Sequence, residues 1–201
     1  MQLFISPGAC SLAPHIALLE IGADFEAVKV DLATRKTEAG DNFLMVNSSG
    51  KVPALVLDSG QILTENPAIL LYVADQSPLS GLAPSEGSLE RYQFLSRLNF
   101  LSSEFHKAFV PLFAPGTSDD LKAAAAVSVQ NHLSLLEKEL TGRDYYAGNA
   151  FSVADIYLFV MLGWTRYVGI DMSGYPALVA YSGKIGQRPA VGAAFKAEGL
   201  A

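Results

Sequence analysis

One cysteine in 201 residues concentrates any thiol chemistry at a single place. Cys10 stands in the run Ser6-Pro7-Gly8-Ala9-Cys10-Ser11, between a short apolar run and a stretch with helical spacing. The thiol therefore falls at or just before a helix N-terminus, where unpaired N–H groups and the helix dipole stabilise an anion and lower a thiol pKa. A lone cysteine also packs as a small hydrophobe, and spacing alone leaves both readings open. In Asn47-Ser48-Ser49-Gly50-Lys51-Val52-Pro53 a proline opens an apolar run. A cis bond there would turn the Val52 N–H and C=O toward an extended ligand, whereas an ordinary turn proline would not. Thr64-Glu65-Asn66-Pro67 sets a carboxylate and a cap residue at another helix start. Backbone N–H groups at such a place hold a ligand carboxylate, and Glu65 suits a ligand ammonium, although complementing the helix dipole would account for it equally.

Farther along, Asn99, Ser103, His106 and Lys107 share one helix face, beside an apolar face of Leu98, Leu101, Phe105 and Phe109. That polar strip is either part of a site or a solvated surface. Arg35, a lone cation in the loop 33–40, either reaches a carboxylate or is solvated. His15 and His132 read as surface or partly buried structural histidines, and Trp164 with Phe159, Met161 and Tyr167 reads as core. No phosphate-binding loop, zinc-protease helix or hydrolase elbow is present, and no Cys/His cluster has structural-zinc spacing.

The elements that must position these residues divide near residue 80. Residues 76–88, rich in Pro, Gly and Ser, form the seam. Before it the order reads strand (2–6), helix (11–20, closed by Gly22), strand (27–32), short helix, strand (53–57), strand (61–64) and helix (66–75). Asp58-Ser59-Gly60 turns the last two strands into a hairpin, and Asn66 caps the last helix with Pro67 at its first position. After the seam no strand is convincing. One long helix spans 89–113, a second 119–140 behind the Ser118 cap, and others 175–185 and 190–197. Between these, Ser152 and Asp155 are spaced as a capping box with Asp in place of Glu or Gln, and Phe151 and Ile156 stand at the staple positions.

Half the residues are hydrophobic and the formal charge is −6 without a long basic run, which favours a packed core and disfavours nucleic acid as the main partner. The N-terminus lacks a basic region followed by a long apolar one, and no apolar run approaches a membrane span. A mildly acidic, cytoplasmic protein is expected.

In chain order, Pro7-Gly8-Ala9-Cys10-Ser11-Leu12, Gly50-Lys51-Val52-Pro53-Ala54-Leu55, Leu63-Thr64-Glu65, Leu98-Asn99-Phe100, His106-Lys107 and Phe151-Ser152-Val153-Ala154-Asp155 resemble the cytosolic glutathione transferases, and most closely the bacterial beta class. The resemblance runs nearly end to end. It implies an α/β thioredoxin-like domain over residues 1–80 and an all-α helical bundle over 81–201 carrying the electrophile site and dimer contacts. It also implies a homodimer that uses glutathione as co-substrate, with no cofactor, no metal, and no nucleic-acid or membrane partner. By resemblance Cys10 and His106 are the catalytic pair, and Cys10 faces the glutathione sulfur, where the class can form a mixed disulfide. The Val52 backbone pairs with the cysteinyl part, and Glu65 with the backbone at Asn66 holds the γ-glutamyl end. Asn99, Ser103, Glu104 and His106 match long-helix site residues, some reaching the partner's site; His106 and Lys107 lie near the thiol or the glycyl carboxylate, and the Arg35 fork suits a carboxylate. The implied reaction is attack of the glutathione thiolate on a small hydrophobic electrophile. A glutaredoxin-like disulfide reductase using Cys10 and a non-catalytic binding scaffold are the alternatives. Three positions depart from the family pattern: Ile5 stands where Tyr is frequent, Arg35 where Lys is frequent, and Asn66-Pro67 replaces a small and an aliphatic residue.

Overall fold

Residues 2–5 alternate little and are apolar at three of four positions, as a strand covered on both faces must be. In the computed structural model, which describes residues 1–200, β1 (Gln2–Ile5) buries Leu3, Phe4 and Ile5. It lies at the centre of a five-stranded mixed sheet of order β3-β2-β1-β4-β5. β2 (Glu26–Asp31) pairs with it in parallel, and β4 (Ala54–Val56) pairs antiparallel on its other side. β5 (Ile62–Thr64) completes the hairpin with β4, and β3 (Lys36–Thr37) extends the opposite edge beside β2. The parallel pair requires a crossover, which α1 (Leu12–Glu20) supplies. α1 is buried from Leu12 to Leu18 and packs against α2 (Asn66–Gln76) and the C-terminal helix. Phe4, Val30, Phe43, Val52 and Ala54 form a core cluster on the sheet.

The expected strands and helices of this half are present, with two additions. β3 occupies part of what reads as the loop 33–40, and the short helix is a single 3₁₀ turn, Phe43–Met45, capped by the Asn42 side chain. Asn66 is the first residue of α2 rather than its cap; Glu65 occupies the cap position and makes no side-chain cap bond.

The chain forms two compact units, Met1–Ala83 together with the chain from Gln187 onward, and Pro84–Gly186. The sequence pattern places everything after residue 80 in one helical domain. The difference lies in α8 (Pro189–Glu198), which packs on α1. Two contacts hold it there. Arg188 forks onto Glu20 at 2.6 and 2.8 Å, and Glu198 reaches His15 at 2.8 Å.

The second unit is helical throughout. It contains α3 (Leu89–Phe100), α4 (His106–Phe113), α5 (Asp119–Leu140), α6 (Val153–Trp164) and α7 (Pro176–Gly186). A π-helical turn, Leu101–Phe105, stands between α3 and α4, where the sequence pattern reads as one regular helix. Such a turn adds one residue to each backbone ring and shifts the faces after it, and no residue type marks it in advance. The apolar face survives: Leu98, Leu101, Phe105 and Phe109 are all buried. α6 is buried nearly all round, as a central bundle helix must be. Its start is the expected capping box, in which Asp155 accepts from the Ser152 N–H at 2.8 Å and the Ser152 hydroxyl at 2.7 Å. Among the described residues no helix is long and apolar enough to cross a membrane.

Candidate functional site

Three segments of the first unit meet at Cys10. The first is the loop between β1 and α1, closed by Ser11, whose hydroxyl accepts the Ser6 N–H at 3.1 Å and donates to the Ser6 carbonyl at 3.3 Å. The second is the turn before β4. Asn47 organises it by donating to the Lys51 carbonyl at 2.7 Å and accepting from the Ser49 N–H and hydroxyl. The Val52-Pro53 bond is cis, and the Val52 side chain is buried in the sheet cluster. Its carbonyl accepts a hydrogen bond from Cys10 Sγ at 3.3 Å. The third segment is the start of α2, where the Asn66 side-chain Nδ2 donates to the Cys10 carbonyl at 3.0 Å.

The thiol does not behave as its position ahead of α1 suggests. Burial pushes Cys10 up to about 12, and the Glu65 charge adds to the rise. The backbone N–H groups of Cys10 and Ser11 and the Asn66 amide pull the other way and are outweighed. α1 begins only at Leu12, with Ser11 as its cap residue, so Cys10 stands outside the first turn. Near neutrality Cys10 is thus a thiol that donates to Val52, not a thiolate. Desolvation of the anion overcomes the helix dipole.

Glu65 is exposed and holds φ at +68°, a left-handed conformation that costs a non-glycine residue about 1–2 kcal/mol. Arg35 shares this feature with φ at +58°. Its Nη1 donates to the Gly50 carbonyl at 2.6 Å. A Cβ on Gly50 would meet Arg35 Nε and Leu44 Cδ2 at 3.1 Å, so glycine is required where the guanidinium folds over the turn. Arg35 braces the segment leading to Val52 with one nitrogen of its fork.

The C-terminal helix enters from far along the chain. Glu198 Oε2 accepts the Gly8 N–H at 2.9 Å while Oε1 lies 2.8 Å from His15 Nδ1. Both side chains are buried, and Leu200 covers Gly8. His15 is therefore a buried structural residue that helps hold the Cys10 loop. Glu198 has no sequence signal: a glutamate near the end of an amphipathic helix reads as solvated. Asn47 does have one, since Asn two residues before Ser-Gly is an Asx-turn pattern.

In the second unit Asn99, Ser103, Glu104 and Lys107 are exposed along α3, the π turn and α4. His106 is half-buried, 2.7 Å from the Tyr157 hydroxyl through Nδ1, with its ring centroid 4.9 Å from that of Trp164. Tyr157 and Trp164 are one α6 face, and Trp164, read from sequence as core, is buried against His106 and Phe109, whereas Tyr167, read with it as core, is exposed beyond the end of α6. Among the described residues no group of three or more His, Cys, Asp or Glu side chains is placed to hold a metal.

A mixed sheet of this order, a cis-proline edge facing a thiol loop, and a helical second unit together define a thioredoxin-like domain joined to a helical bundle. Profiles for the N-terminal and C-terminal domains of glutathione S-transferases match residues 1–75 and 119–184. The chain belongs to the glutathione S-transferase family. It is 80% identical, over the whole of both chains, to a sphingomonad glutathione S-transferase solved in complex with glutathione, with a TM-score of 0.98. A bacterial beta-class glutathione S-transferase of Sphingomonas chungbukensis is 72% identical over both full chains, with a TM-score of 0.99. Glutathione S-transferase GstA of Escherichia coli O157:H7 is 40% identical over 100% of both chains. The beta-class resemblance carried by the motifs is borne out.

Proposed function

We propose that this glutathione transferase binds glutathione along Val52, Glu65 and Asn66 and conjugates its sulfur to small hydrophobic electrophiles. The observation that carries the reading is the convergence of the Cys10 loop, the Val52 carbonyl and the α2 start at one point. An extended peptide pairs with the Val52 main chain as an added strand would. Its γ-glutamyl carboxylate meets the α2 N-terminus, and its ammonium meets the exposed Glu65 carboxylate. Arg35 and Lys107 supply positive charge for the glycyl carboxylate.

Conjugation needs the glutathione thiol, with an ordinary pKa of about 8.5, as thiolate near neutrality. A protonated Cys10 helps once glutathione is bound, because its one S–H turns from the Val52 carbonyl to donate to the ligand sulfur and favours the anion. His106 supplies a second polar contact, held in orientation by Tyr157. The thiolate attacks an electrophilic carbon, a carbon–sulfur bond forms, and halide or another leaving group departs with the bond pair. The Asn99, Ser103 and Glu104 strip serves a site shared between two copies, so the working form is a homodimer. A single free thiol suits the reducing cytoplasm where glutathione is abundant.

The test combines retention on immobilised glutathione with conjugation of an aromatic halide by the parent protein and by Cys10→Ala. Retention by both and conjugation that persists, changed several-fold, in Cys10→Ala support the reading. Complete loss of conjugation with glutathione affinity intact would make Cys10 itself indispensable and overturn the division of labour.

A further inference from the structure

Arg35 keeps φ at +58°, a conformation that persists in a non-glycine residue only where its surroundings impose it. They do so on both sides of the residue. The Arg35 N–H donates to the Asp31 carbonyl at 2.8 Å, and its carbonyl accepts the Phe43 N–H at 2.9 Å. Phe43 is fully buried in the cluster that also holds Val52. From this anchored backbone the side chain reaches the turn 47–52, where Nη1 donates to the Gly50 carbonyl at 2.6 Å. The Gly50 N–H donates to the Asn47 carbonyl at 2.8 Å. Both main-chain polar groups of Gly50 are therefore committed, two residues before Val52. The next carbonyl, that of Lys51, accepts from the Asn47 side chain. Among the described residues Nη1 is the only guanidinium nitrogen of Arg35 with a hydrogen-bond partner.

We propose that Arg35 is a positioning residue for glutathione: one nitrogen of its fork fixes the Gly50 carbonyl, and through it the Val52 main chain that receives the cysteinyl part, while the remaining nitrogens meet the glycyl carboxylate. The statement about the ligand rests on the glutathione-binding reading; the bracing of Val52 does not. A planar fork serves two oxygens at once from one rigid group. A lysine, frequent at this position in the family pattern, ends in one ammonium on a flexible stem and has no fixed geometry to divide between them. Main-chain pairing depends on such a brace, because hydrogen bonds weaken steeply as donor and acceptor fall out of line. Loss of the brace therefore weakens any ligand that pairs with Val52, with or without a glycyl carboxylate. A residue that supplied charge alone would matter only to a ligand carrying that carboxylate.

The variants are Arg35→Met, which removes charge and donors, and Arg35→Lys, which keeps the charge without the fork. Both keep an unbranched side chain on the left-handed backbone. The probes are glutathione and its glycyl monoethyl ester, which has the same main chain without the glycyl carboxylate, each titrated by calorimetry. Arg35→Met is expected to weaken the ester about fivefold and glutathione further still. Arg35→Lys is expected to weaken glutathione about threefold although the charge is kept. Circular dichroism and the calorimetric stoichiometry count the folded protein, so a variant that is merely less stable would keep the parent Kd. By hydrogen exchange, the Gly50 amide of ligand-free Arg35→Met is expected to exchange about fivefold faster than in the parent, as the turn loosens. An ester bound by Arg35→Met with the parent Kd would reduce Arg35 to a charge and overturn the proposal. Glutathione bound by Arg35→Lys with the parent Kd, or an unchanged Gly50 exchange rate, would overturn it too. Failure of the parent to bind glutathione would instead sink the glutathione-binding reading, and the Gly50 exchange rate would still decide whether Arg35 braces Val52.

Discussion

Each unit is pinned by one buried carboxylate, and the two are built in opposite ways. Asp155, fully buried at the start of α6, accepts from Ser152 three residues away, from the Tyr146 N–H at 2.7 Å and from the Tyr181 hydroxyl at 2.9 Å. Glu198 accepts from Gly8 and meets His15 across separations of 190 and 183 residues. Each holds a segment of its own unit. Asp155 fixes the first turn of α6, the helix whose Tyr157 and Trp164 orient His106. Glu198 fixes the turn that precedes Cys10. The contrast teaches that a local carboxylate can direct one helix, whereas a distant one joins the end of the chain to its beginning. Only the first leaves a pattern in the sequence.

Asp155→Ala is expected to have the largest effect. Removing the shared acceptor leaves three or more buried donors unpaired, and a loss of about 3–5 kcal/mol in denaturant unfolding is expected. Burial holds the Asp155 carboxyl above its ordinary value while its hydrogen bonds favour the anion, so Asp155→Asn is expected to lose less than Asp155→Ala. Equal losses would mean that packing, not hydrogen bonding, sets the effect.

Glu198→Ala is expected to cost less, about 2–3 kcal/mol, because it strands one backbone donor and one imidazole. It should also quicken Cys10 alkylation several-fold, since the Pro7-Gly8 turn is released. Asp155→Asn should leave that rate unchanged. If Glu198→Ala left both stability and alkylation untouched, the distant carboxylate would be an incidental contact and the comparison would fail.

Glu65 sharpens the contrast from the other side, as an exposed carboxylate that the fold does not enclose. Glu65→Ala is expected to raise the glutathione Kd at least tenfold, read by calorimetry, because an ammonium loses its partner. The accompanying stability change should remain within about 1 kcal/mol, the scale of a helix-dipole contact. A collapse in melting temperature with unchanged affinity per folded molecule would place Glu65 beside the other two as a structural group.

A last effect appears only in alkali. The folded thiol titrates near 12 and the unfolded one near 9. The stabilisation that Cys10 contributes by remaining protonated is therefore complete below about 9 and is lost as pH rises toward 12. Parent and Cys10→Ala unfolding curves should draw together between those limits, by no more than about 1.4 kcal/mol per pH unit. Parallel pH dependences would show a thiol that is solvated in the folded protein.

Periodicity and turn chemistry carried much of the architecture. Alternating short strands with a hairpin at Asp58-Ser59-Gly60, the cap signals at Ser118 and Ser152, and the apolar face Leu98, Leu101, Phe105 and Phe109 are local patterns, and local patterns survive folding. The Val52-Pro53 edge and the Cys10 loop were legible for the same reason: residue types with restricted backbones stand where the chain must turn. Three features were decided only when distant segments met. The state of the Cys10 thiol depends on burial, which overrides the helix dipole the sequence displays. The side chain of Asn66, legible as a cap, turned instead to the Cys10 carbonyl. And α8, legible as one more helix of the second unit, joined the first because Glu198 and Arg188 find His15, Gly8 and Glu20 there. Sequence determines which backbone shapes each segment prefers. Desolvation and long-range hydrogen bonding depend on which surfaces come together, and that is settled only in the tertiary structure.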